Sequence, residues 1–281
     1  MTEQLEHAKT FAGLHKAGQP LLLPNAWDAA SAVVIAGAGA AAIATTSAGV
    51  AWSLGVPDGA DLGADRNAEV IARIVAAVNV PVSADIEAGY GESPEAVAAT
   101  VTSVVQAGAV GVNIEDRIGP TLLEPAAQVE RLIAAREAAE RLGVPLWINA
   151  RTDIYLAGIG EPQDWPGLTE ERASAYAAAG VDSLFVPGLV DTAVVGKLSE
   201  GPVPITVMAW PGAPTVTEFA NAGAVRISLG SGIAQAAYAV AARATKELLT
   251  NGTYDVTAEA LSFSDLNSAV AAGHSGPGHQ P

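Results

Sequence analysis

With 281 residues the chain can form one large domain or two ordinary ones; half of it is apolar but only 5% is aromatic, so Ala, Val, Leu and Ile must build the core. Fourteen Lys and Arg face thirty Asp and Glu, a formal charge of −16 that argues against nucleic acid as a partner, because a phosphate backbone needs clustered cations. Cysteine is absent, which excludes disulfides, thiolate metal sites and thiol nucleophiles.

The chain opens Met1-Thr2-Glu3-Gln4-Leu5-Glu6-His7, acidic and without an apolar run, so no signal peptide is expected and the protein is read as cytoplasmic. A helix is predicted over residues 3–17, then a first apolar strand at 21–23 and a helix at 29–36. The apolar stretch 33–45 is about a dozen residues long and broken by Gly37 and Gly39, too short to span a membrane. Further strands are predicted at 41–45, 80–84, 111–114, 146–150, 183–186, 205–208 and 224–227. Helices follow them at 68–78, 94–106, 126–142, 170–179, 192–198, 215–221 and 233–249. Gly108, Gly143, Gly180 and Gly223 stand where helices must stop, since glycine accepts the left-handed turn that ends a helix.

Eight strand–helix units without an internal linker fit an α/β chain folded as one (β/α)8 TIM barrel over residues 1–270, preceded by an extra N-terminal helix. A doubly wound sheet of six or seven strands is the alternative, weakened because no strand is followed by a Gly-x-Gly-x-x-Gly turn. Residues 271–281, rich in Gly, His and Pro, are expected to be a disordered polar tail, with His274 and His279 read as part of it rather than as metal ligands.

In such a barrel the C-terminal strand ends make the active site. Strand three ends in Asp85-Ile86-Glu87, and residues two apart in a strand share a face. Paired acids are unfavourable unless a cation neutralises them, so a hard divalent metal is the natural occupant. The other strand ends bring Asn25 and Asp28; Thr45, Thr46 and Ser47, with a long loop to Asp58; Asn113, Glu115 and Asp116; Asn149, Arg151 and Asp153; and Arg226 with Ser228. Strands six and seven end without such groups, in Val186-Pro187-Gly188 and Met208-Ala209-Trp210.

Five stretches carry a family resemblance: Pro24-Asn25-Ala26-Trp27-Asp28-Ala29-Ala30-Ser31-Ala32, Ser53-Leu54-Gly55-Val56-Pro57-Asp58, Ala84-Asp85-Ile86-Glu87-Ala88-Gly89-Tyr90-Gly91, Asn113-Ile114-Glu115-Asp116 and Asn149-Ala150-Arg151-Thr152-Asp153. In order and spacing, from about residue 21 to 249, the chain resembles the isocitrate lyase/phosphoenolpyruvate mutase superfamily. The resemblance implies Mg2+, with Mn2+ as a substitute, bound directly by Asp85 and largely through water by Glu87 and Glu115. It implies Asp58 beside the metal waters, Arg151 on a substrate carboxylate or developing oxyanion, and the Thr45-Thr46-Ser47 turn holding the substrate carboxylate. A homodimer or homotetramer that exchanges the eighth helix between subunits is implied as well.

Plainer readings stand beside these. Glu115 could pair with Arg117 on the surface, and Arg151 with Asp153 or Glu115. Asp58 could cap its Pro-Asp-Gly turn, and Thr45, Thr46 and Ser47 could serve only loop backbone groups. Asp28 is read as the N-cap of the helix at 29–36.

The departures matter too. Where the family's lyases carry Lys-Lys-Cys-Gly-His, this chain reads Arg117-Ile118-Gly119-Pro120-Thr121-Leu122-Leu123-Glu124-Pro125. The Lys/Asn gating loop of the mutases is not visible, and Gly188 and Met208 stand where the family often places polar groups. What survives suits a Mg2+-dependent lyase acting on a small α-oxo or 2-hydroxy carboxylate through a metal-stabilised enolate, by C–C cleavage or oxaloacetate-type decarboxylation. The alternatives are a C–P mutase or hydrolase of the phosphonopyruvate/phosphoenolpyruvate type, and a metal-binding barrel without turnover.

Overall fold

Leu21–Leu23 and Asn25–Ala26 are two pieces of one strand, parted only by Pro24, and this broken strand closes the sheet into a barrel. In the computed structural model, which describes residues 2–60 and 62–274, the first piece pairs with Arg226–Ser228 and the second with Ile43–Thr45, both parallel. Pro24 has no N–H to give, yet its carbonyl accepts from Ala44 N at 3.0 Å, so the seam stays bonded. We number the barrel strands β1 (the broken strand), β2 (Ile43–Thr45), β3 (Val82–Asp85), β4 (Gly111–Glu115), β5 (Trp147–Arg151), β6 (Ser183–Phe185), β7 (Ile205–Met208) and β8 (Arg226–Ser228). Neighbours in this circle are parallel throughout. The (β/α)8 barrel expected from the sequence is therefore the observed fold.

The helix Pro94–Gln106 shows how local signals fix an element. Ser93 accepts from Ala96 N, Pro94 occupies the first turn where no N–H is needed, and Gly108 takes φ +101 just past the end. Val97, Val101, Val104 and Val105 fall on one face and are fully buried, each contributing about 1.5–3 kcal/mol relative to exposure. The helix packs between its two neighbours, Ala64–Ala77 and Pro125–Arg141. The Asp28 cap is also present: its carboxylate accepts from Ser31 N at 2.7 Å, and Ser31 Oγ accepts from Asp28 N at 3.0 Å.

The N-terminal helix Thr2–Leu14 plugs the barrel floor. Phe11, fully buried, lies under Gly111, where a Cβ would come within 2.7 Å of its ring. His15 stacks on Trp147 with centroids 4.0 Å apart. The opposite mouth is left for chemistry.

Among the described residues, four elements besides the 3-10 turn Asp255–Thr257 were not legible in the sequence. Ser47–Ser53 is a helix inside the segment read as a loop, Arg117–Ile118 and Thr121–Leu122 form a small hairpin after β4, and Ile154–Ala157 is a single helical turn. The fourth is Phe263–His274, a helix that packs on Ala29–Gly37 and Ala64–Ala77. It takes in Ala271 to His274, the first four residues of the expected tail, because helical backbone continues as long as one face finds apolar cover. The rest of that tail lies outside the described residues.

The eighth helix, Gly232–Asn251, stands off the barrel: only Ala234 in it is buried. Beside it a groove of about 670 Å³ opens over β1 and β8, lined by Leu22, Ile35, Val216, Ile227, Leu229 and Ile233 among others. Among the described residues no helix is long and apolar enough to cross a membrane.

Candidate active site

β3 delivers Asp85 to the barrel mouth, and four neighbours set its orientation. Thr45 Oγ1 on β2 accepts from Asp85 N at 2.8 Å, and Asn67 Nδ2 donates to Asp85 O at 3.1 Å. The carboxylate accepts from Glu87 N at 3.2 Å and more loosely from Ser47 N at 3.4 Å. Thr45 and Thr46 are both buried, so the Thr45 hydroxyl serves Asp85, while Ser47, half-buried, faces the mouth.

Glu87 follows in a loop that non-glycine residues rarely adopt: Glu87 has φ +49 and Tyr90 φ +51. The loop is held from behind by Arg131, on the buried face of Pro125–Arg141. Its guanidinium donates to Gly91 O at 3.1 Å, Glu92 O at 2.9 Å and Ala88 O. Thr100 Oγ1 donates to Gly89 O at 2.8 Å. A strained backbone persists only when its surroundings over-determine it, and these four bonds do so here.

β4 and β5 place Glu115 and Arg151 directly opposite each other in parallel register. The pair closes at 2.9 Å, and Arg151 also grips Asp153 with Nε to Oδ1 at 2.6 Å and Nη2 to Oδ2 at 3.0 Å. Asp153 is fully buried and accepts a second guanidinium, Arg117 Nε at 2.8 Å. The alternative surface pair between Glu115 and Arg117 is therefore not formed, whereas Arg151 does pair with both Glu115 and Asp153. Asp116 points away from the mouth, to Arg172 at 3.1 Å and Tyr176 Oη at 2.8 Å, and braces the chain after β5 through Asp153 N at 3.1 Å.

Electrostatics mark the place where a cation is needed. Burial pushes the Glu115 carboxyl up to about 8, against the pull of Arg151 and with help from Asp153, Asp85 and Glu87. Burial also pushes Glu87 up to about 7; the Tyr90 hydroxyl beside it opposes the shift, and Asp85 and Asp58 reinforce it. Asp58, reaching in from its loop, is raised by burial and by Asp85, with Arg151 opposing. For Arg151 burial works against the charge, but Glu115, Asp153 and Asp85 outweigh it, and its pKa is raised.

Below the mouth, a polar layer fills the barrel. Asn149 Nδ2 donates to Asn113 Oδ1 at 2.8 Å, Ser183 Oγ and Thr206 Oγ1 donate to Asn149 Oδ1 at 2.6 and 2.9 Å, and Arg226 Nη2 donates to Asn113 Oδ1 at 3.2 Å. Burial lowers Arg226 to about 9, with Asp85 pulling the other way.

Five carboxylates (Asp58, Asp85, Glu87, Glu115, Asp153) thus meet three guanidiniums (Arg117, Arg151, Arg226), a formal excess of two negative charges. The donors are all oxygen, which suits Mg2+ or Mn2+. Among the described residues no three acids converge tightly enough to ligate one ion together. Mg2+ keeps several waters and takes one or two protein carboxylates, so Asp85 as direct ligand, with Glu87 and Glu115 reached through water, fits this donor set. A cavity of about 350 Å³ opens over these groups, lined by Glu87, Tyr90, Glu115, Arg117 and Gly59 among others.

The structure thus brings together Asp85, Glu87, Glu115, Arg151, Asp58 and Ser47 and gives Thr45 and Thr46 supporting places. Sequence reasoning missed Arg131, Gln128 and Asn67 as supports and Asp153 as the shared anchor of two arginines. A signal for two of them existed. Gln128 and Arg131 fall on the same helical face as Leu132, Ala135 and Ala139, where polar residues need partners. Gln128 donates to Glu115 O at 3.2 Å.

Residues 11–249 match the family model described as phosphoenolpyruvate phosphomutase. A 2-methylisocitrate lyase of Escherichia coli is 30% identical over 222 residues, covering 75% of this chain and 70% of that protein. A solved structure from Burkholderia cenocepacia, provisionally described as a phosphonomutase, is 42% identical with a TM-score of 0.81, over 89% of this chain and 100% of that one. A phosphonopyruvate hydrolase solved with oxalate and Mg2+ shares the fold at 22% identity, with a TM-score of 0.82 over 95% of each chain.

Proposed function

Because the chain belongs to the isocitrate lyase/phosphoenolpyruvate mutase superfamily, we propose that it is a Mg2+-dependent lyase acting on a small α-oxo or 2-hydroxy carboxylate. The observation that carries this reading is the β3–β5 mouth, where Asp85, Glu87 and Glu115 converge beside a fixed Arg151 and burial with mutual repulsion pushes Glu87 and Glu115 above the usual carboxylate range. Asp85 would hold the ion, with Glu87, Glu115 and Asp58 on its waters. When bound, the ion supplies Lewis-acid polarisation of the α-oxo carboxylate.

The protein's own contribution is preorganisation. Arg151 is locked by Glu115 and Asp153 before substrate arrives, so its donors need no reorganisation as negative charge builds. Ser47, at the start of its short helix, stands beside Asp85 where a substrate carboxylate would lie.

Acid–base groups are scarce. Asp116 is consumed by Arg172 and Tyr176, and the Tyr90 hydroxyl, buried beside Glu87, has its pKa raised. Decarboxylation of a β-keto acid such as oxaloacetate asks for no protein base, so it suits this site better than cleavage of a 2-hydroxy acid, for which Glu115 would have to serve.

The test is pyruvate release from oxaloacetate with Mg2+ and with chelator. Metal-dependent release above the rate of free Mg2+ supports the reading. Mg2+ and oxalate binding without turnover of any α-oxo acid would point instead to a barrel without catalysis. A second reading, C–P bond chemistry, is favoured by the likeness to the protein described as a phosphonomutase; release or migration of phosphorus from phosphonopyruvate, followed by 31P NMR, would establish it.

We also propose a homodimer or homotetramer. The eighth helix buries only Ala234 and leaves Tyr238, Val240 and Leu248 exposed, beside a groove with no cover of its own. Light scattering showing monomer alone would refute this.

A further inference from the structure

The Arg226 guanidinium crosses the bore of the barrel beneath the mouth. From β8 it donates through Nη2 to Asn113 Oδ1 at 3.2 Å, and β4, which carries Asn113, lies four strands away in either direction round the circle. Asn113 pairs in register with Asp85 on β3, so the arginine ends one strand from the proposed metal ligand. Its side chain is 2% exposed, and Nη1 is buried without a partner among the described residues. No carboxylate pairs with it among those residues either.

The other arginines around the site are compensated. Arg151 has Glu115 and Asp153, Arg117 has Asp153, Arg172 has Asp116, and Arg131 has three carbonyl oxygens. Arg226 has one neutral amide oxygen. The charge that favours its own is that of Asp85 above it, and on its other side it disfavours a charge on His15 in the floor plug. A buried charge held this way costs stability, and an apolar side chain of similar volume would fill the bore at no greater cost. The position therefore points to a use for the charge itself.

We infer that Arg226 holds a fixed positive charge beneath the metal site, lowering its affinity for the bare cation and raising the affinity of the metal-loaded site for the anionic substrate. The inference rests on the metal reading given above and goes beyond it. A cation arriving alone at Asp85 is repelled by the guanidinium, whereas an anion arriving on the bound metal is attracted by it. Once both are bound their charges nearly cancel, and the arginine neither helps nor hinders the pair. Binding strength is thus moved from the metal step to the substrate step.

Calorimetry tests this in two steps, Mn2+ alone and then oxalate on the Mn2+-saturated protein. The proteins compared are the unaltered chain, Arg226→Met and Arg226→Gln. Both substitutions remove the charge, and neither orphans Asn113 Oδ1, which keeps Asn149 Nδ2 at 2.8 Å. Each variant should bind Mn2+ about tenfold tighter and oxalate about tenfold more weakly, the order expected of one fixed charge at an effective dielectric of about 20. The product of the two affinities should stay within about threefold of the unaltered value. Opposite shifts are the readout, since damage to the site weakens both steps.

Any result but opposite shifts overturns the inference, and weakening of both steps would make the arginine a structural support. Loss of the folded state in both variants overturns it too, for the arginine would then be a strut of the bore. Failure of the unaltered protein to bind Mn2+ at all strikes the metal reading itself. With Mn2+ bound normally and no opposite shifts, only the role of Arg226 falls.

Discussion

The barrel has two unlike halves. From β2 to β5 the mouth is crowded with carboxylates and guanidiniums, and Asp85, Glu115, Arg151, Arg117 and Asp153 are each fixed by a partner from another element. At β6 and β7 the strand ends are bland, and around β8 and β1 the outer surface carries an apolar groove beside a helix that leaves the barrel. The first half lacks positive charge and the second lacks cover. Charge excess calls for an ion and an anionic substrate, whereas bare apolar surface calls for more protein.

The most severe way to break the contrast is Asp85→Ala. Metal-dependent turnover should fall to background, a larger loss than the about 10–100-fold typical of groups that merely orient a ligand. Calorimetry with Mg2+ or Mn2+ alone checks it, and full activity in this variant would sink the whole site.

Arg131→Met comes next. It leaves three carbonyls of the Glu87 loop without their donor, which should lower stability by about 3 kcal/mol. Denaturant unfolding reads the loss, and weakened Mn2+ affinity would show that the clamp also shapes the site. Unchanged values for both would mean that the strained loop holds itself.

His15 lies outside both halves, in the floor plug, and gives a pH signature. Burial, together with the nearby Arg226, lowers it from 6.5 to about 4, while its contact with Phe11 O opposes the shift. The unfolded chain therefore binds the extra proton between those values. Stability should be intact above pH 6.5 and decline as pH falls toward 4, by at most about 2–3 kcal/mol. His15→Phe should flatten that step, and a profile identical in both proteins would refute the account.

The smallest effect on chemistry should come from the other half. Tyr238 is half-exposed on the eighth helix, near Trp27 and Trp52 with ring centroids 6.4 and 6.3 Å away. Tyr238→Asp should shift the protein toward monomer in light scattering and leave Mg2+ affinity within about twofold, since the residue touches none of the metal's carboxylates. Loss of metal binding in step with dissociation would show that the halves are not separable.

Much of this was legible in the chain itself. Period-2 and period-3.6 apolar patterns, with glycines at the helix stops, determined eight strand–helix units, and that count determined a barrel. The barrel rule then placed Asp85, Glu115 and Arg151 at one mouth, because each ends a strand, whereas Glu87 reaches it from the loop after β3 and not from a shared strand face. Elements without such signals stayed hidden: Ser47–Ser53 and Ile154–Ala157 are too short for a period to show, and the hairpin at 117–122 has only two residues a side. Tertiary structure alone decided the partners. Glu115 could have met Arg117 two residues away, but strand register set it opposite Arg151, thirty-six residues on. Arg117 was left to Asp153, and Thr45 to the backbone of Asp85. Periodicity is set by neighbours within a turn or a pleat, whereas ion pairing depends on which strands lie side by side and on how little water remains between them.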